Sequence, residues 1–203
     1  MVDVIESTID LSQNFSAMIE SCYWREKLRD EIKWLRNNQK YKRWSEKQMV
    51  LYERKLMLVG FQIRSLLERE RIAKAYAKKK LEIKRYEKVG KKPLTKLRYT
   101  NYDELFNMKE PKSDSLSAPQ ICNQLIHYYV MFTLSNEKRI FTTLLVVSDY
   151  QRHACLNEID ISKLIDFFEF FSKEDSHFGK PGTVVRGEWN EKKKDWDLIE
   201  GSG

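Results

Sequence analysis

Uninterrupted helical spacing is the feature that most constrains this chain, because no proline occurs before Pro93. Over residues 14–37 apolar side chains recur three or four positions apart, which predicts a first amphipathic helix. Residues 45–48 have the Ser-x-x-Gln pattern of a capping box, which is typical of a helix start. The apolar spacing that follows is clear as far as Leu67 and weaker from there to Leu81. Because no proline interrupts it, a second helix is predicted from about residue 46 to about residue 89.

The length of that second helix limits how it can pack. At about 1.5 Å per residue it would be roughly 65 Å long, and the first helix would cover only about half of it. The uncovered half must then project, break near Gly60 or find another partner. We therefore expect a long antiparallel helical hairpin whose basic tip overhangs.

The second half of the chain has a different texture. Residues 117–120 repeat the Ser-x-x-Gln pattern with proline in the first turn, which favours a helix start. β-Branched and aromatic residues at 131–134 and 139–147 predict a β-hairpin, and a strand is expected over about 154–159. Ser162 is expected to cap a final helix of large apolar side chains.

The predicted fold class is α+β, because a helical first half precedes a small mixed module. The predicted segments are the helical hairpin at 1–92, a linker at 93–116 with one short helix near 102–106, a helix–β-hairpin–strand–helix module at 117–175, and a flexible tail or small hairpin at 176–203.

Positive charge is concentrated in the first half: residues 1–100 carry a net charge of +12 and residues 101–203 a net charge of −5. Between Arg71 and Arg98 there are twelve basic and two acidic residues. Such a segment attracts RNA, DNA or an acidic protein partner; alternatively, it is a solvated surface that keeps the protein soluble. The predicted nucleic-acid-binding residues are Arg71, Lys74, Lys78, Lys79, Arg85, Tyr86, Lys88, Lys91, Lys92 and Arg98, with the tyrosine stacking on a base.

Several classes of enzyme site lack their sequence patterns here. The chain has no GxxxxGK[ST] or GxGxxG phosphate loop and no GxSxG nucleophile turn. His127, His153 and His177 lie about 25 residues apart without a cysteine pair, so no metal site and no cofactor is predicted.

The sequence predicts a cytoplasmic protein. No run of uncharged apolar residues approaches the roughly 18 that cross a membrane, so no membrane association is predicted. The first residues are acidic, whereas a signal peptide begins with positive charge. Cys22, Cys122 and Cys155 are widely separated and form no CxxC, which favours reduced thiols.

Gln120, Asn123 and His127 are spaced to form one polar stripe on the helix predicted to start near residue 117. Residues 122–127 resemble the HEPN motif, in which an arginine and a polar residue precede a helical histidine. That family consists largely of metal-independent ribonucleases and their inactive relatives, common in toxin–antitoxin, CRISPR and phage-defence systems, and its members typically dimerise. The resemblance implies that Asn123 and His127 are catalytic residues, but Cys122 stands at the arginine position and supplies no cation.

Each histidine candidate also has a structural interpretation. The His127 ring can pack at a helix–sheet junction and bind a backbone carbonyl instead of acting as a general base. The adjacent Arg152 and His153 can face a ligand from a turn, or they can belong to a solvated turn.

Three functional hypotheses follow. The first is a non-enzymatic protein that binds nucleic acid or a protein partner through the basic helical segment, from a mobile-element or phage-defence context. The second is a metal-independent, HEPN-like ribonuclease that uses His127, with arginine supplied from elsewhere in the chain or by a second protomer. The third is a structural coiled-coil adaptor, in which the long helix pairs with itself in a homodimer or with another chain.

Overall fold

The computed structural model describes residues 11–40, 45–69, 74–95, 101–138, 140–173, 184–190, 192 and 195–201. Side chains are described throughout these ranges except at 11–22, 74–75, 184–190 and 195–201. The chain falls into two compact units, divided after Lys173.

The first two helices begin as the sequence predicts. Helix α1 covers Leu11–Asn38 and helix α2 covers Glu46–Glu68. The capping box at the start of α2 is present: Ser45 Oγ accepts from the Gln48 N–H at 3.3 Å, and Gln48 Oε1 accepts from the Ser45 N–H at 3.2 Å. The two helices pack together, and α2 buries the side that carries Leu56 and Ile63.

The predicted continuation of α2 to residue 89 is wrong. Helix α2 ends at Glu68, a 3-10 helix covers Lys74–Lys78, and strand β1 covers Lys80–Glu87. The helix also continues through Gly60, so it does not break there. Within β1, Leu81 and Ile83 are buried at a spacing of two, which suits a strand with one covered face.

A five-stranded antiparallel sheet forms the centre of the first unit. The other strands are β2 (Lys112–Ser117), β3 (Tyr128–Ser135), β4 (Phe141–Ser148) and β5 (Cys155–Asp160), and the order is β2-β1-β5-β4-β3. The predicted β3–β4 hairpin and the β5 strand are confirmed. The segment predicted as a linker contains the expected short helix, α3 (Tyr102–Leu105), and also contributes β2 to the sheet.

Two further helices complete this unit, α4 (Ala118–Ile126) and α5 (Ile161–Ser172). The predicted cap of α5 is wrong: the side chain of Asp160 caps it by accepting from the Lys163 N–H at 2.9 Å, and Ser162 Oγ accepts instead from Gln39 Nε2 at 2.9 Å. Aspartate serves this position as well as serine does, because both offer a side-chain oxygen to the free N–H groups.

Hydrophobic clusters cover both faces of the sheet. The larger cluster joins α1, α2, α4 and α5 to side chains such as Leu144 and Ile159. The smaller one contains Leu145 and Leu156 together with residues of α3. Neighbouring residues of one strand thus enter opposite clusters, as the alternation of a strand requires.

The second unit is an antiparallel pair, β6 (Val184–Asn190) and β7 (Asp195–Gly201), in which Trp189 pairs with Trp196. The sequence left a small hairpin or a flexible tail open for this part of the chain, and the described backbone is a hairpin. None of the described helices combines the length and the apolarity needed to span a bilayer.

Candidate functional site

Helix α4 presents the polar stripe that the sequence predicts. Its buried positions include Ile121, Cys122 and Leu125, whereas Asn123 and His127 are exposed. His127 is the C-cap residue, and its backbone N–H donates to the Asn123 carbonyl at 3.0 Å. His127 lies between the last residue of α4 and the first residue of β3, at the helix–sheet junction that the structural interpretation names, but it is exposed and its imidazole is not enclosed in the core.

Helix α2 brings an arginine to this stripe. Arg64 Nη1 donates to Asn123 Oδ1 at 2.9 Å and lies 3.4 Å from His127 Nε2. Its Nε donates to Glu68 Oε1 at 2.6 Å, one turn further along α2. Arg64 lies outside residues 122–127, and the fold places its guanidinium beside Asn123 and His127.

Helices α2 and α4 approach closely at Gly60. A Cβ atom built on Gly60 would lie 3.2 Å from Leu125 Cβ, so the neighbouring side chain would have to shift by a few tenths of an ångström to admit a larger residue. Glycine at this crossing lets Arg64, one turn later on α2, reach the polar stripe of α4. The glycine in an amphipathic stretch was the only sequence signal for this approach, and it does not identify the arginine.

Cys122 belongs to the core beneath the stripe. Burial raises the pKa of its thiol to about 12, so the thiol is neutral and unreactive near neutral pH. Cys155 is also buried and forms no disulfide, and burial likewise raises the pKa of its thiol. Neither cysteine is a nucleophile of the site.

An open cleft of about 590 Å³ lies between α2, α4 and the turn that joins β4 to β5. It is lined by a group that we call the Arg64 cluster, which consists of Arg64, Asn123 and His127. The turn is held against α4, because the Asp149 N–H donates to the His127 carbonyl at 3.0 Å. The lining residues are Arg64, Leu116, Gln120, Asn123, Gln124, His127, Ser148, Asp149, Tyr150 and Gln151.

A buried network of carboxamides supports the cleft. Gln124 Nε2 donates to Gln151 Oε1 at 2.8 Å and to Ser148 Oγ at 3.3 Å. Asn157 Nδ2 on β5 donates to Gln124 Oε1 at 3.2 Å and to Gln151 Oε1 at 3.1 Å. Because Gln124 and Asn157 are buried, breaking these bonds leaves polar atoms without water, and the network fixes the turn on α4.

The predicted nucleic-acid-binding residues have different fates. Lys78, Lys79, Lys91 and Lys92 are exposed. Lys88 is half-buried and donates to the Gly90 carbonyl at 3.2 Å. Arg71, Arg98 and the side chain of Lys74 lie outside the described part of the chain.

Tyr86 cannot stack on a base, so that prediction is wrong. Its side chain is only 5% exposed and belongs to the smaller hydrophobic cluster. Its hydroxyl donates to Glu158, and burial together with this carboxylate raises the pKa of the phenol.

Carboxylates neutralise the middle of the basic segment. Lys84 pairs with Glu158 at 3.0 Å, and Arg85 pairs with Asp114 at 2.6 Å. Since a strand rises about 3.3 Å per residue, Lys80 and Lys88 lie roughly 26 Å apart. The lysines at 78–80 and at 91–92 therefore form two groups at opposite ends of β1, and the exposed lysine between them, Lys84, is paired with a carboxylate. The prediction of an overhanging basic tip is therefore wrong.

One of the two lysine groups adjoins the cleft. The Lys79 carbonyl accepts from the Ala118 N–H at 3.0 Å, and Lys80 pairs with Ser117 across the two strands. Residues 78–80 therefore flank the start of α4, whereas Lys91 and Lys92 follow the opposite end of β1.

The Arg152–His153 pair does not line the cleft. Arg152 Nε donates to His153 Nε2 at 3.0 Å, and its guanidinium lies 5.0 Å from the centre of the Tyr129 ring. Arg152 also pairs with Asp149 at 3.2 Å. These contacts describe a surface turn in which the arginine is already occupied.

The arrangement suits a ligand with negative charge, because a guanidinium, an imidazole and carboxamide groups meet at the cleft. Within the described ranges, no three His, Cys, Asp or Glu side chains are grouped so that they could hold a metal ion. The comparisons with known proteins give no relative: no family model, curated protein or solved structure matches the chain.

Proposed function

We propose that the protein binds RNA in the cleft between α2, α4 and the β4–β5 turn, with one phosphodiester held by Arg64, Asn123 and His127. The observation that carries this proposal is the position of Arg64 Nη1, 2.9 Å from Asn123 Oδ1 and 3.4 Å from His127 Nε2 in an open cleft. Guanidinium groups bind phosphate oxygens with two parallel hydrogen bonds, and imidazole and amide N–H groups donate to the same oxygens.

The electrostatics of the cleft support an anionic ligand. Arg64 is 35% exposed, and its carboxylate partner Glu68 is more exposed still. Such a surface ion pair is weak, so a phosphate can share or displace it at small cost. Asp149, the acidic residue that lines the cleft, is paired with Arg152.

The lysines at 78–80 give a strand a second point of contact. Helix α4 has nine residues and is about 14 Å long, with His127 after its last turn and these lysines beside its first. A single-stranded RNA that runs along α4 from the Arg64 cluster therefore reaches these lysines within a few nucleotides. Lys79 also lies 4.8 Å above the Phe170 ring, which orders its ammonium group.

A salt series on a labelled 12-nucleotide single-stranded RNA tests binding. We expect the logarithm of the affinity to fall linearly with the logarithm of salt concentration, by roughly 0.7 per phosphate contact. Replacing Lys79 and Lys80 by Ala should weaken binding and flatten this slope, while the matched Lys91→Ala/Lys92→Ala variant, which also removes two charges, should leave both unchanged. A flat salt response, or no binding at low salt, contradicts the proposal.

The contact between Arg64 and His127 favours a second candidate function, metal-independent RNA cleavage at the same cleft. His127 Nε2 would take the proton of the 2′-hydroxyl, whose oxygen then bonds to phosphorus as the bond from phosphorus to the 5′ oxygen breaks. The leaving 5′ oxygen takes a proton from water, and a 2′,3′-cyclic phosphate remains. Arg64 would stabilise the charge that develops on the non-bridging oxygens, in the role that the HEPN motif gives to its arginine.

Cleavage of RNA in EDTA distinguishes binding from catalysis. We expect wild type to release cyclic-phosphate ends, His127→Ala to lose at least about a hundredfold in rate, and a 2′-deoxy strand to remain intact. His153→Ala is the matched control, because that exposed histidine does not line the cleft. Equal rates in wild type and His127→Ala, or no cleavage by either, contradict the catalytic candidate and leave the binding proposal to the salt series.

A further inference from the structure

We infer that Tyr150 is a base-stacking residue of this cleft, so that the RNA taken there is single-stranded next to the bound phosphate. The inference rests on the RNA binding proposed above and adds the substrate class. Its starting point is that Tyr150 is 96% exposed, the largest exposed fraction among the large apolar and aromatic side chains that the structure describes.

Hydrogen bonds hold the backbone around Tyr150 in place, although the ring is open to solvent. The Gln151 N–H donates to the Ser148 carbonyl at 3.0 Å, which closes a tight turn around Asp149 and Tyr150. The Asp149 N–H donates to the His127 carbonyl, and the Gln151 amide joins the buried network. A tyrosine side chain has only two rotatable bonds before its ring, so holding it against a ligand costs little conformational entropy.

The turn places the exposed Tyr150 ring at the proposed RNA-binding cleft. Tyr150 lines the same cleft as Arg64 and His127, so a nucleotide whose phosphate contacts Arg64 can place its base against the Tyr150 ring. A base offers its face to an aromatic ring only when it is not already stacked inside a duplex. The ring therefore selects an unpaired base, and hydrogen-bond readout of its identity is not required.

The exposed ring has an alternative role, contact with a protein partner, and in that case Tyr150→Ala binds the single strand as wild type does. A duplex control separates stacking on an unpaired base from any other contact with RNA. The variants are Tyr150→Ala, Tyr150→Phe, which keeps the ring, and Tyr23→Ala, a matched control on α1 that is 68% exposed. The ligands are the 12-nucleotide single strand and a duplex of the same length. We expect Tyr150→Ala to lose about tenfold in affinity for the single strand and nothing for the duplex, while Tyr150→Phe and Tyr23→Ala bind as wild type does.

A thermodynamic cycle locates the contact on the RNA. Abasic nucleotides are placed one at a time along the strand, and the loss at each position is measured with wild type and with Tyr150→Ala. We expect one position at which wild type loses about tenfold and Tyr150→Ala loses nothing further, because the two changes remove the same contact.

Three outcomes overturn the inference: Tyr150→Ala binds the single strand as wild type does, it weakens single strand and duplex equally, or no abasic position couples to it. In each of these cases a salt-dependent wild type that loses affinity on Arg64→Ala leaves the proposed function standing. Failure of wild type to bind any RNA at low salt is instead the failure of the proposed function, and it removes the basis of the inference.

Discussion

The sequence contains two candidate binding regions, the basic segment at 71–98 and the polar stripe of α4. In the fold they differ in how far their polar side chains are accessible to a ligand. In the basic segment, Lys84 and Arg85 are paired with carboxylates from other strands and Tyr86 is buried. On α4, Asn123 and His127 remain accessible and gain Arg64 as a neighbour. Charge density in a sequence therefore does not say which charges are available to a ligand, whereas periodic polarity on an amphipathic helix does indicate exposure.

The largest expected effect is at the α4 stripe. Arg64→Ala should lower the affinity for single-stranded RNA by about thirtyfold or more, because it removes the charged donor that faces the cleft. Arg64→Lys should recover only part of the loss, since lysine lacks the planar fork of donors. Arg54→Ala, at an exposed position of the same helix, is the control and should bind as wild type does. Equal affinity in the two alanine variants would mean that the cleft is not the binding site.

Loss of the carboxamide network beneath the polar stripe should reduce the free energy of unfolding more than it reduces the affinity for RNA. Asn157→Ala should lower the free energy of unfolding by about 2 kcal/mol, because the buried Gln124 and the half-buried Gln151 each lose a donor. Urea denaturation of this variant and of the exposed control Asn37→Ala measures the difference. A loss of less than about 0.5 kcal/mol would show that water replaces the network without cost.

The middle of the basic segment should behave in the opposite way to the stripe. Arg85→Met should lower the free energy of unfolding by about 1 kcal/mol, because Asp114 loses its partner on a half-buried strand. Its affinity for RNA should not change. Denaturation and binding measured on the same preparation decide this, and a tenfold loss of affinity without loss of stability would restore the basic segment as the RNA surface.

The smallest expected effect sharpens the assignment of Arg64. Glu68→Gln should raise the affinity for RNA by about twofold, since it removes the carboxylate that competes with phosphate for the guanidinium. Asp103→Asn, an exposed acidic position on α3, removes the same charge elsewhere and serves as the control. An equal gain in both variants would point to net charge alone as the cause.

Much of the fold was predictable because its signals are local. A capping box, a hairpin of β-branched residues and an amphipathic stretch are each decided within about ten residues, and the starts of α2 and α4 and the β3–β4 hairpin follow from them. The error at β1 has the opposite origin. Residues 80–87 are compatible with a basic helix by themselves, and pairing with β2 on one side and β5 on the other makes them a strand.

The candidate site also combines features that local sequence determines with features that only tertiary packing determines. From its residues alone the chain specified an exposed polar face on α4, because the spacing of Asn123 and His127 against buried neighbours is a property of one helix. Only the tertiary fold brought Arg64 there from about sixty positions away, through the close crossing that Gly60 permits, and set Tyr150 at the edge of the cleft. Such contacts depend on how elements pack, and packing is decided by the shape of the whole core.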